Sequence, residues 1–273
     1  MRLVSLLPSA TEIVYALGLG DDLAGVTFEC DEPPAARAEK TIVVGGLDTT
    51  GMTPGEIDRY VRGQMASGQD LCRVCALPSG HVSDALDYLG CHAGVLTLDP
   101  HSLEEVLDSI LTIGQRAGAA RRAQELVAGL QARLDRVAAQ VAGRDRPRVA
   151  MIEWVDPPFC AGHWVPDLVT AAGGHPVAAT PGASSVTTSW GAIAAARPDV
   201  VVVSPCGYHL ADAAEQAQVV VRALPGVPVW AIDGDGIVVR PGPRLVSGVE
   251  ALAAILHPDV AAVAPEGSVQ RVG

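Results

Sequence analysis

Arg197-Pro-Asp-Val-Val-Val-Val-Ser-Pro-Cys-Gly207 decides the fold. Four consecutive valines leave no polar face, so the strand over 200–204 is buried on both sides. Such strands belong to parallel sheets covered by helices on both faces. Pro205-Cys206-Gly207 ends the strand. The same grammar recurs around it. Residues 149–154 read as a strand closed by Asp156-Pro157-Pro158, and 229–232 read as another. Residues 163–172 read as a helix closed by Gly173-Gly174. A last helix is expected over 245–256, and the tail after His257-Pro258 reads as weakly ordered.

The first third repeats the pattern. Residues 3–7 form a β-like run ending at Pro8-Ser9, and Ser9 with Glu12 matches a capping box for a helix reaching Leu17 and stopping at Gly18. Strands are expected over 24–28, 41–44 and 94–98, with a helix opening at Thr53-Pro54-Gly55-Glu56. Over 102–142 the apolar residues Val106, Ile110, Ile113, Leu126, Leu130, Leu134, Val137 and Val141 keep helical spacing. Gly114 and Gly118 interrupt them without clearly ending the run, so this is one long helix or two closely spaced ones. The expected architecture is α/β: two Rossmann-like parallel-sheet lobes, 1–100 and 147–273, joined by a backbone helix over 101–146. Ligands of open parallel sheets bind at the carboxyl ends of strands. That rule places Glu29, Cys30, Asp48, Glu153, Trp154, Cys206 and Tyr208 at binding edges.

Composition agrees with such a fold. The 273 residues suffice for two lobes, and 49% hydrophobic against 18% charged residues excludes disorder. Aromatic residues are only 4%, so Ala, Val and Leu fill the core. A net charge of -12 argues against nucleic acid or an anionic membrane as partner. Six scattered cysteines do not make a disulfide scaffold. Met1-Arg2-Leu3 runs straight into a strand without signal-peptide character, and no run approaches a membrane span. The expectation is a cytoplasmic protein with reduced thiols and no membrane insertion.

Cys72-x-x-Cys75 is the sharpest local motif. Two thiolates at this spacing can chelate a soft metal, or they are two small buried residues. Cys30 and Cys206 follow strands, so the four thiols are candidate ligands for zinc or an iron–sulfur cluster. Glu153 is a candidate metal ligand, general base or loop-tying carboxylate. His163 opens a helix, whose dipole disfavours its protonation; it is a candidate base or a backbone-bonded histidine. Trp164 and Trp190 read either as walls for a flat ligand or as lobe core. Tyr208 follows Pro205-Cys206-Gly207, and Arg240 reads as an anion clamp. There is no Walker loop, dinucleotide fingerprint or nucleophile elbow.

A collinear set of motifs spans nearly the whole chain: Ser5-Leu-Leu-Pro-Ser-Ala-Thr-Glu12, Glu29-Cys-Asp-Glu-Pro-Pro34, Cys72-Arg-Val-Cys-Ala76, Glu153-Trp-Val-Asp-Pro-Pro158, Gly162-His-Trp-Val-Pro166, Arg197-Pro-Asp199, Pro205-Cys-Gly207 and Arg240-Pro-Gly-Pro-Arg244. Together they resemble the cobalamin-binding branch of the helical-backbone (class III) periplasmic binding proteins, the substrate-binding components of vitamin and iron-chelate importers. The resemblance implies two lobes, a rigid connecting helix and a ligand held between the lobes. Against that pattern, residues 63–68 join almost directly to 69–72, so the first lobe is expected to be trimmed by one helix–strand unit. Gly55, beside Glu56, and Gly191 occupy the places of the two permease-docking glutamates, which makes permease docking doubtful. Glu29 and Thr49 stand where carriers have aromatic cleft residues, although Trp190 remains. The resulting expectation is a cleft-binding protein for a corrinoid or metal-containing small molecule, acting in the cytoplasm. The alternative is a metal- or iron–sulfur-dependent enzyme with Cys30, Cys72, Cys75 and Cys206 as ligands and Glu153 or His163 as base. The oligomeric state is left open.

Overall fold

The computed structural model describes residues 1–44, 94–261 and 264–273. Asp48, Cys72, Cys75, Cys91, the helix expected from Thr53 and the trimmed segment lie outside the described residues. The chain forms two compact units, one of Met1–Asp99 with Ile113–Ala119 and one of Pro100–Thr112 with Ala120–Gly273.

In the first unit, β1 (Leu3–Val4), β2 (Leu23–Thr27) and β3 (Thr41–Val44) form a parallel sheet in the order β1-β2-β3. The helices are α1 (Pro8–Ala16) and α2 (Pro34–Glu39). Ile13, Leu17, Leu23 and Val26 are buried between these elements. The expected Ser9 cap is not formed: α1 starts one residue earlier, with Pro8 in its first turn. Proline suits that place because its φ is already helical and its missing N–H needs no partner. Ser9 is instead buried inside the helix. Among the described residues 94–100 there is no strand, and Val95 and Leu96 are exposed. An apolar run becomes a strand only where a neighbour completes its ladder.

The expected backbone helix is two helices, α3 (Leu103–Arg116) and α4 (Ala120–Val141). Gly118 makes the break. Its φ is +70°, a conformation that glycine adopts without steric cost. The chain there closes α3 through Gly118 N–H to the Gln115 carbonyl (3.3 Å) and Ala119 N–H to the Gly114 carbonyl (2.7 Å).

The second unit holds a seven-stranded sheet of β4 (Arg148–Val155), β5 (Pro158–Cys160), β6 (His175–Pro176), β7 (Val186–Thr187), β8 (Val200–Val203), β9 (Val229–Ile232) and β10 (Val269–Arg271). The order is β10-β9-β8-β4-β5-β7, with β6 on β4. Its helices are α5 (Val165–Ala171), α6 (Trp190–Ala195), α7 (Leu210–Ala223), α8 (Gly234–Ile237) and α9 (Leu245–Leu256). The sheet is parallel at its centre and antiparallel at its edges, a correction to a purely parallel lobe. A turn at Asp156-Pro157 folds β5 back onto β4, a connection short enough only for antiparallel pairing. The tail is ordered as well: β10 pairs with β9, Val269 opposite Ile232 and Arg271 opposite Trp230.

The four valines behave as their pattern requires. Val200 and Val202 enter one core layer with Val149, Met151, Leu168 and Leu252. Val201 and Val203 enter the other with Ala150, Ile152, Ala213 and Val220. Burying a valine stabilises by about 1.5–3 kcal/mol, so this one strand contributes strongly to both layers. Helix α5 ends as expected: Gly173 has a φ of +82° and Gly174 N–H reaches the Val169 carbonyl at 2.9 Å.

Candidate functional site

The site is assembled by the register of β4 on β8. Met151 pairs with Val202 and Ile152 with Val203. Ser204 N–H continues the ladder to the Ile152 carbonyl at 2.9 Å. One further step in this parallel register places Ser204 beside Glu153, both at the carboxyl ends of central strands. Beyond them, β4 reaches Trp154, while the chain after β8 turns at Cys206-Gly207 and presents Tyr208. Tyr208 N–H closes that turn on the Pro205 carbonyl at 3.3 Å. The Trp154 and Tyr208 rings then meet, with centroids 5.7 Å apart and planes tilted by 50°. Both residues are half-buried. Burial, and secondarily the charge of Asp212, raises the pKa of the Tyr208 phenol.

At the same strand ends, polar groups are incompletely satisfied. Glu153 is half-buried as a residue, but its Oε2 is sealed from solvent and has no hydrogen-bond partner. Burial pushes its carboxyl pKa upward, opposed by a side-chain hydrogen bond with Ser185. Ser185 is fixed in turn, its Oγ accepting the Gly162 N–H at 3.0 Å. Ser204 is fully buried, and its Oγ also lacks a partner. Tyr15 Oη, in the other unit, is the third such atom among the described residues.

The other sequence-derived candidates divide. His163 sits just before α5 with φ +51°; its N–H donates to the Ala183 carbonyl at 2.6 Å and its carbonyl accepts the Gly182 N–H at 3.1 Å. Its ring lies 5.6 Å from His101 and 5.7 Å from Trp164. Trp164 is a packing residue, its indole N–H donating to the Val238 carbonyl at 2.9 Å and its ring lying on the core. Trp190 opens α6 and packs on the other core layer. The expected anion clamp at Arg240 is a buried ion pair instead. Its Nε donates to Asp235 Oδ1 at 3.1 Å, its Nη2 bonds Oδ2, and the two side chains are 12% and 10% exposed. Asp235 is in the first turn of α8, a placement that favours a carboxylate.

Glu29 is half-buried in the turn after β2. Cys30, next to it, is no open metal ligand. Its side chain is fully buried, Thr11 Oγ1 donates to its sulfur at 3.0 Å, and Thr27 Oγ1 lies 3.2 Å away. Cys206 is half-buried and not part of a disulfide. Among the described residues, no group of three potential metal ligands includes a cysteine. Burial pushes the Cys160 thiol up to about 11, which suits a packing residue. The sequence reading missed Ser204, Ser185 and Asp235. Only Ser204 left a signal, as the polar residue closing an all-apolar strand.

A profile of the periplasmic binding protein family matches residues 74–231, more than half of the chain. The chain belongs to the periplasmic binding protein family. An uncharacterized ABC transporter substrate-binding lipoprotein of Bacillus subtilis (strain 168) is 29% identical over 274 residues, covering 94% of this chain and 80% of that protein. A vitamin B12-binding protein of Vibrio cholerae is 24% identical over 265 residues, covering 93% and 88%. Among solved structures, a periplasmic heme-binding protein from Pseudomonas aeruginosa aligns over 99% of this chain and 97% of its own with a TM-score of 0.70 at 22% identity. These relatives overturn the cytoplasmic expectation: members of this family are periplasmic or lipoprotein-type binding proteins. They also lend no support to an iron–sulfur cluster. No described helix is long and apolar enough to cross a membrane.

Proposed function

We propose that this periplasmic binding protein is the substrate-binding component of an ABC importer, and that its cargo is a metal-bearing tetrapyrrole, a corrinoid or a heme. The Trp154–Tyr208 pair carries the reading. Two half-buried rings in contact at the carboxyl edge of β4 and β8 offer aromatic surface against which a macrocycle can pack. In a chain with only 4% aromatic residues, their meeting at that edge is informative. The names of the relatives support the same class, since one binds vitamin B12 and another heme. Of the four cysteines in the enzyme alternative, Cys30 has two threonine hydroxyls against its sulfur.

The importer role implies docking to a permease. Gly191 lies at an exposed position in the first turn of α6, which carries no acidic residue, so docking through that helix start is weakened. Equilibrium titration with cyanocobalamin, dicyanocobinamide and hemin, followed by absorbance and tryptophan quenching, tests the ligand class. Saturable one-to-one binding of at least one of the three is expected. Binding of none overturns the reading.

A further inference from the structure

We propose that Glu153 and Ser204 form a two-point receptor for one carboxamide arm of the ligand, selecting an amide-bearing corrinoid over a carboxylate-bearing porphyrin. This rests on the tetrapyrrole reading and names the substrate within it. Two of the three unpartnered buried polar atoms among the described residues belong to this pair. They sit on neighbouring central strands, one register step beyond Ile152 and Val203. A buried polar atom without a partner costs free energy, so a pair of them at a strand edge marks a place where a partner arrives. The two are not bonded to each other, so the partner must engage both at once.

The chemistry of the two groups limits what that partner can be. Ser204 can donate one hydrogen bond and accept others; Glu153 accepts when ionised and donates when protonated. A primary carboxamide carries both a carbonyl and an NH2, so it satisfies the pair in either protonation state of Glu153. A carboxylate arm can take the serine hydroxyl and a hydrogen bond from a protonated Glu153, but it meets an ionised Glu153 as a like charge, so the selection operates where Glu153 is ionised. Corrinoids carry several carboxamide arms, whereas heme carries carboxylates. The pair lies at the same carboxyl edge of β4 and β8 as the Trp154–Tyr208 contact, Glu153 next to Trp154 along β4. Glu153 Oε2 is covered in this structure, and Ser185 lies against the same carboxyl. Ser185 immediately precedes the two-residue edge strand β7, whose Val186 is exposed, so little sheet pairing opposes its displacement.

The test compares dicyanocobinamide with its monocarboxylic acid derivatives, each having one amide converted to a carboxylate, and with hemin, at neutral pH. Wild-type protein is expected to bind the parent about tenfold or more tightly than at least one monoacid, the scale of one buried hydrogen bond left unmade. Glu153→Gln and Ser204→Ala should each bring that ratio to within about threefold. The Gln variant keeps the shape of the side chain, and its melting curve checks that it folds. If parent and monoacids bind equally, or if neither variant changes the ratio, the two atoms hold only a buried water and the receptor is refuted while the tetrapyrrole reading stands. If hemin alone binds, the reading survives and the selection is refuted. If no tetrapyrrole binds, both fall.

Discussion

Two corners at strand carboxyl ends make an instructive contrast. Past β2, Cys30 is fully buried with two threonine hydroxyls against its sulfur. At the ends of β4 and β8, Glu153 and Ser204 are buried with atoms that bond to nothing. Position alone made both corners candidates; hydrogen-bond satisfaction separates them. The first is a finished piece of interior, and the second keeps two buried polar atoms without partners. Arg240 with Asp235 belongs with the first kind, since each neutralises the other inside the second unit.

The largest effect should come from breaking a finished corner. Arg240→Ala leaves Asp235 buried without its cation and is expected to cost about 3–5 kcal/mol, read by chemical denaturation. Loss of much less would mean that the pair is hydrated. Cys30→Ala should cost about 1–2 kcal/mol through a small void and the lost sulfur contacts, while tetrapyrrole affinity stays unchanged. A large loss of affinity with stability intact would move Cys30 into the binding machinery. The unfinished corner should respond to pH instead. Because burial raises the Glu153 pKa above its ordinary value of 4.5, the folded state holds a proton that the unfolded chain releases. Its stabilisation is therefore full below the unfolded value and is lost as pH rises through the folded one, by at most about 1.4 kcal/mol per unit. Glu153→Gln should flatten that part of the stability profile, and denaturation from pH 5 upward checks it. An identical slope in both proteins would mean that Glu153 does not titrate there.

Much of the fold was legible because it is written in composition. Four valines in a row can only be buried on both faces, and they are split between two core layers. Strand edges were less legible. The antiparallel β5 and β10 depend on what the chain does after a turn, which no local pattern of Pro158–Cys160 or Val269–Arg271 encodes. The Gly118 break was ambiguous because glycine is tolerated inside helices as well as after them. In the site, residue type marked Glu153, Trp154 and Tyr208 as candidates, and the strand ends placed them at one edge. It could not tell Trp164 from Trp154, since the difference lies in their neighbours: Trp164 packs on the core layer, and Trp154 meets Tyr208. Nor could it find Ser204, whose interest comes from lacking a partner rather than from having a reactive side chain. The localisation expectation failed for a different reason: it was read from missing signal-peptide character, which does not fix the compartment, and the relatives overturn it.

The most direct test of the central claim is tryptophan quenching on titration with dicyanocobinamide, in wild type, Trp154→Phe and Trp164→Phe. If Trp154 and Tyr208 form the surface on which a tetrapyrrole rests, wild type and Trp164→Phe should show strong saturable quenching. Trp154→Phe should lose most of it and bind about tenfold more weakly, as expected when an aromatic contact at the centre of a site is altered. Quenching that survives in Trp154→Phe and disappears in Trp164→Phe would place the ligand elsewhere and contradict the account.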